Sequence, residues 1–176
     1  MARYVTQNPA TGEVVEEFAE LPLAETPALI ARADSGYRTW KDTDLAMRAA
    51  VLHHIADLYE ERLEQLAQDV TREMGKPITA ARGEIRTVIS IFRYYADQGP
   101  AMLAHQPLDV QGGGTAYIRR DPIGVLLAVM PWNFPHYQIA RLAAPNLLLG
   151  NALILKHAGI CARSALNVEQ LFRDAG

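Results

Sequence analysis

The stretch VLLAVMPWNFP, Val125 to Pro135, decides how the chain is built. It begins as an unbroken apolar run, the pattern of a parallel strand buried on both faces. It then enters a loop bracketed by Pro131 and Pro135 that carries a single amide side chain, Asn133. Both prolines restrict the backbone, so the strand delivers Asn133 with little freedom left to lose. Downstream, HYQIARLAAPNLLLGN has helix length and is expected to bend or end near Pro145. ALILK is a second short apolar strand, and ARSALNVEQLFRDAG a second helix. That helix turns Ala165, Val168, Leu171, Phe172 and Ala175 inward and ends on Gly176. The order β-α-β-α calls for a parallel pair with a right-handed crossover, the opening of an open α/β sheet. Two strands are too few for a complete sheet, so a third is expected to follow.

The first hundred residues read as mainly helical. RYVTQNPATGEVVEEFAE is two β-prone runs around an Asn-Pro…Gly turn, hence a hairpin. Thr26 fits a helix N-cap with Pro27 behind it, and Leu29, Ile30, Ala33, Tyr37 and Trp40 form the stripe. Thr43 caps a second helix, whose stripe of Val51, Leu52, Ile55, Leu58 and Tyr59 continues through Leu63, Leu66 and Val70. Gly75 is a C-terminal cap and Pro77 opens a third helix. That helix carries Ile78, Ala81, Ile85, Val88, Phe92 and Tyr95, and Gly99-Pro100 is expected to close it. Beyond it, PLDVQGGGTAYIRRDPIG reads as strand, glycine turn, strand. A phosphate-binding reading of Gly112, Gly113 and Gly114 fails, because β-prone residues rather than a helix follow them.

Composition narrows the function. The 176 residues are 49% hydrophobic and carry a net charge of −3, which argues against nucleic-acid binding. No stretch reaches transmembrane length, and the N-terminus lacks the apolar core of a signal peptide, so no membrane role is expected. Cys161 is the only cysteine, so no internal disulfide can form and a reducing, cytoplasmic setting is the default. The five histidines show no metal-ligand spacing, so no metal is expected.

The segments MPWNFP and LILKHA together resemble the aldehyde dehydrogenase superfamily. NPATGEVV, TREMGKPITAARGEI, FRYYAD and YIRRDPIGVLLAVMPWNFP agree with it, so the resemblance covers essentially the whole chain. The REMGKP and KHA forms are most similar to the bacterial succinate-semialdehyde dehydrogenase branch. The resemblance implies an α/β fold: N-terminal helices and hairpins, then the first βαβα of a Rossmann-like cofactor domain. It divides the chain into residues 1–106, the hairpin and helical part of the cofactor-binding domain; 107–122, an oligomerisation hairpin; and 123–176, the start of the NAD(P)-binding sheet. The family's catalytic cysteine, catalytic glutamate and catalytic domain are expected beyond this sequence. It implies oxidation of an aldehyde, succinate semialdehyde first, to a carboxylic acid with NADP or NAD in a homo-oligomer.

Residue by residue, the resemblance makes Asn133 the oxyanion donor. An amide suits that task because it is neutral, donates two hydrogens and does not titrate; the alternative is a turn Asn bonding its own backbone. Met130, Pro131, Trp132 and Asn133 line the cofactor edge of the loop, with Trp132 alternatively a core aromatic. Lys156, His157, Ala158 and Gly159 form the ribose side of the site, where open α/β sheets bind ligands. Many NAD-preferring members place Glu at the position of Gly159; its absence leaves room for the 2′-phosphate of NADP. Phe134, Gln138 and Arg141 border the substrate tunnel, Arg141 suited to a bidentate pair with a carboxylate. Cys161 lies outside the nucleophile motif and reads as a small buried hydrophobe. The chain alone is therefore expected to be inactive. The alternative is a truncated, non-catalytic fragment with only oligomerisation or partial cofactor-binding surface.

Overall fold

In the computed structural model, which describes residues 3–176, three two-stranded sheets surround a helical core. The chain opens with an antiparallel hairpin, β1 (Arg3–Gln7) and β2 (Val14–Ala19). Its turn is closed by Asn8, whose Oδ1 accepts from the Ala10 N–H at 2.9 Å and whose carbonyl accepts from the Gly12 N–H at 2.8 Å. Gly12 has φ +75°, a conformation that favours glycine.

Helix α1 (Thr26–Trp40) starts one residue earlier than expected: Glu25 is the N-cap and Thr26 lies inside. Leu29, Ala33, Tyr37 and Trp40 are half-buried, but Ile30 faces solvent because it falls outside that single stripe. The Trp40 indole donates to the Leu147 carbonyl at 2.8 Å, tying α1 to the later crossover helix. The Thr43 hydroxyl donates to the Trp40 carbonyl and so closes α1; Asp44 is the N-cap residue of the next helix. The long stripe behind it divides into α2 (Leu45–Glu61) and α3 (Leu63–Met74). The break is at Arg62, whose guanidinium pairs with Asp174 at 2.7 Å. Gly75 caps α3 in the left-handed conformation at φ +76°.

Helix α4 (Ile78–Leu103) does not stop at Gly99-Pro100 but runs through it. Gly99 is buried, and a Cβ there would collide with the Leu148 side chain of the later crossover helix. The pair therefore marks a close helix–helix approach rather than an end. The core is built where α2, α3 and α4 meet: Leu52, Ile55, Tyr59, Leu66, Val70, Ile85, Val88 and Phe92 are essentially inaccessible. Each such side chain contributes roughly 1.5–3 kcal/mol by leaving water.

A short hairpin, β3 (Gln106–Leu108) and β4 (Ala116–Ile118), follows with Gly112, Gly113 and Gly114 in its connection, all at positive φ. Then β5 (Val125–Val129), α5 (Tyr137–Leu149), β6 (Ala152–Lys156) and α6 (Ala162–Ala175) form the expected unit. The two strands are parallel, with Val125 opposite Ala152 and Val129 opposite Lys156. Pro145 lies inside α5, which ends on Gly150 at φ +108°. One expectation fails. Ala128 of β5 is buried, whereas Leu127 and Val129 are 68% and 67% exposed. Leu153 and Leu155 of β6 pack against the helical core on one face, and the opposite face of β5 is left open.

Gly99→Ala separates two effects. Helix propensity alone would stabilise α4 by up to ~1 kcal/mol. The collision with Leu148 is expected to win, with a net loss of about 1–3 kcal/mol in urea denaturation.

Candidate functional site

The Asn133 loop begins where β5 ends, on the carboxyl edge of the parallel pair. Pro131, Trp132, Asn133 and Phe134 are exposed, and Met130 is half-buried. Among the described residues the Asn133 amide has no hydrogen-bond partner, so the local turn bond considered for it does not form. Trp132 is 54% exposed and is not a core aromatic here.

The loop around this free amide is anchored at four successive points. The buried Glu84 carboxylate of α4 accepts from the His136 N–H at 2.8 Å and the Tyr137 N–H at 3.0 Å. Lys76 pairs with the same carboxylate and lies 3.7 Å from the centre of the Phe134 ring. His157 Nε2 donates to the Pro135 carbonyl at 2.9 Å, while its Nδ1 accepts from the Ala158 N–H at 2.8 Å. That pair of bonds selects one neutral tautomer, and burial lowers the His157 pKa in the same sense. The Cys161 thiol donates to the Trp132 carbonyl at 3.7 Å.

Glu84 has a counterpart. No side chain of α5 or α6 caps its own helix. Glu73 of α3 is buried beneath α6, accepting from the Arg163 and Ser164 N–H groups and from the Ser164 hydroxyl. Desolvation pushes the Glu73 carboxyl up against the opposing effect of those donors. A carboxylate at a helix N-terminus meets both the unpaired N–H groups and the positive end of the dipole. Sequence reading missed both residues. The available signal was a carboxylate on a buried stripe: Glu73 follows Val70 at helical spacing, and Glu84 precedes Val88.

His136 is fully buried, with Nδ1 3.1 Å from the Tyr59 hydroxyl and Nε2 unpartnered among the described residues. Burial first, and then the nearby His157 and Lys76, lower its pKa to about 3. The imidazole is neutral in the fold.

At the end of β6, Lys156 is exposed and lines a cavity of about 550 Å³ with His157, Ala158 and Gly159. No acidic partner pairs with Lys156 among the described residues. The far wall is the first hairpin: Tyr4, Glu17 and Phe18. Sequence reading did not place that hairpin here, because nothing local to residues 4–18 records what they pack against. A second cavity, about 570 Å³, lies between α4 and α5. Arg141 lines it together with Thr87, Ser90, Tyr94 and Tyr137, its guanidinium 5.4 Å from the Tyr137 ring centre. Gln138, predicted on the same face, is half-buried and does not line that cavity.

Cys161 is buried, and desolvation raises its thiol to about 12, so it is not an activated nucleophile. No group of His, Cys, Asp and Glu side chains among the described residues could hold a metal. No helix among them is long and apolar enough to cross a membrane.

The model of the aldehyde dehydrogenase family matches residues 2–176. An NADP-linked succinate-semialdehyde dehydrogenase of Deinococcus radiodurans is 47% identical over 173 residues, covering 98% of this chain and 36% of its own length. A succinate semialdehyde dehydrogenase of Escherichia coli K12, named for NAD(P), is 40% identical over 98% of this chain and 37% of its own. The crystal structure of succinic semialdehyde dehydrogenase from Streptococcus pyogenes with NADP superposes with a TM-score of 0.94 at 40% identity. The match covers 98% of this chain and 38% of that one. The chain thus spans little more than a third of the length of these relatives.

His136 gives the fold a pH dependence. Its folded pKa lies below the unfolded value, so its contribution is fully present above pH ~6.5 and is lost as pH falls toward 3. Between pH 7 and pH 5 the loss is about 2 kcal/mol. Urea denaturation at the two values measures it, and His136→Asn is expected to flatten that slope whatever it does to stability at pH 7.

Proposed function

The chain belongs to the aldehyde dehydrogenase family, and on that premise we propose that the polypeptide carrying it oxidises an aldehyde to a carboxylic acid with NADP or NAD. The substrate in this reading is succinate semialdehyde. The observation that carries the proposal is the unpartnered Asn133 amide, exposed on a loop anchored by Glu84, His157 and Cys161. Attack of a thiolate on an aldehyde places negative charge on the former carbonyl oxygen. Asn133 donates an N–H to that oxygen, and its fixed loop means that little reorganisation accompanies the reaction.

The residues at the end of β6 fit a nicotinamide dinucleotide. Lys156 offers an unpaired ammonium to ribose hydroxyls or a phosphate, and Gly159 places no carboxylate against a 2′-phosphate. His157 and Ala158 complete that turn, and Met130, Pro131 and Trp132 form the edge toward Asn133. When bound, the dinucleotide supplies the acceptor for hydride. Phe134 borders the aldehyde path, and Arg141 holds the far carboxylate of the semialdehyde from the cavity between α4 and α5. Gln138 stands beside this path on the same helix. Exposed Leu108, Val110, Tyr117 and Ile118 support contact of the β3–β4 hairpin with a second copy in a homo-oligomer. The setting of the enzyme is the cytoplasm in this reading.

Because Cys161 is buried, the 176-residue chain by itself lacks the thiol chemistry. The test uses the polypeptide as the cell makes it, with NADPH formation from succinate semialdehyde as the readout. Asn133→Ala is expected to lower kcat by about 10²–10³. A kcat within a few fold of the parent would remove Asn133 from the oxyanion role. Arg141→Ala is expected to raise KM for succinate semialdehyde by about tenfold or more while sparing a neutral aldehyde. Equal loss on both would remove the carboxylate role.

A further inference from the structure

Gly159 is not a glycine by backbone necessity. It is absent from the positive-φ residues and opens a short 3-10 turn that any L-residue could adopt. What opposes a side chain is space. A Cβ at residue 159 would stand 3.0 Å from Cδ1 and 3.3 Å from Cε1 of Tyr4. Tyr4 comes from β1, far away in sequence, where it pairs with Phe18 of β2. Both residues wall the cavity into which Lys156 projects.

We propose that Tyr4 is a specificity-determining residue: its ring, packed over Gly159, keeps a carboxylate out of the turn that faces the dinucleotide's ribose. The inference rests on the cofactor reading given above. A carboxylate at residue 159 would lie on the cavity that Lys156 also lines and would repel the 2′-phosphate of NADP. The Tyr4 ring opposes such a side chain sterically, and it does so from outside the parallel sheet. The first hairpin is thereby part of cofactor selection rather than a remote decoration.

The experiment is a double-substitution cycle in the polypeptide as the cell makes it: Tyr4→Ala, Gly159→Glu and both together. NADPH and NADH binding are titrated by fluorescence, and Tm is read by circular dichroism. Gly159→Glu alone is expected to lower Tm and weaken both dinucleotides, because the new side chain meets the ring. The double variant is expected to recover the Tm of Tyr4→Ala. It is also expected to shift the ratio of the two Kd values against NADPH by tenfold or more relative to Tyr4→Ala. The proposal is overturned if Gly159→Glu alone keeps the parent Tm and shifts the ratio as far as the double variant does. It is equally overturned if the double variant stays as unstable as Gly159→Glu, since the ring is then not the obstacle. If the parent protein binds neither dinucleotide, the cofactor reading fails and this assignment with it. In that case the Tm cycle still reports whether the Tyr4–Gly159 contact is real.

Discussion

Two buried carboxylates hold the βαβα unit onto the helices that precede it. Glu84 closes the N-terminus of α5 and Glu73 closes that of α6. A helix N-terminus leaves N–H groups without partners, and burying them unpaired would cost ~1–3 kcal/mol apiece. Here neither helix caps itself, so each depends on a side chain from another element. The positions of α5 and α6 are therefore set by α3 and α4, which the core already fixes through Val70, Ile85 and Val88. Removing either carboxylate would uncouple the sheet unit from the helices without touching a residue of the sheet.

The same carboxylates set the geometry of the site. Glu84 fixes the first N–H groups of α5, and those belong to the residues that end the Asn133 loop. His157, one residue beyond β6, holds the Pro135 carbonyl and so joins the ends of the two strands. Asn133 is left as the polar side chain of that loop with no partner among the described residues. A rigid frame around an unsatisfied donor is the arrangement expected where a developing charge is to be met. The open side of β5, with Leu127 and Val129 in solvent, belongs to the same edge. Apolar strand residues left uncovered beside such a site mark a surface that expects a neighbour.

Local physics made much of the fold legible. Helical spacing located the buried stripes of α2 and α4, and Asn8 to Gly12 announced the first turn. The apolar runs of β5 and β6, separated by a helix-length segment, were enough for a parallel pair. Gly99-Pro100 misled because proline near glycine usually ends a helix, and only the approach of Leu148 explains why the glycine is there. The stripe from Val51 to Val70 concealed a break at Arg62, since apolar spacing does not report a turn that an ion pair with Asp174 accompanies. Both faces of β5 read as buried because an apolar run records what a strand is made for, not what covers it.

What the sequence determined by itself was the order of elements, the core stripes and the delivery of Asn133 and Lys156 to strand ends. Those follow from periodicity, proline geometry and turn chemistry, all of which act over a few residues. Only the tertiary structure decided which carboxylates cap which helices, that His136 is held neutral beside Tyr59, and that Tyr4 lies over Gly159. These contacts join residues 52, 77, 91 and 155 positions apart. No local pattern encodes such pairs, because a side chain's partner across the core is chosen by how the elements pack.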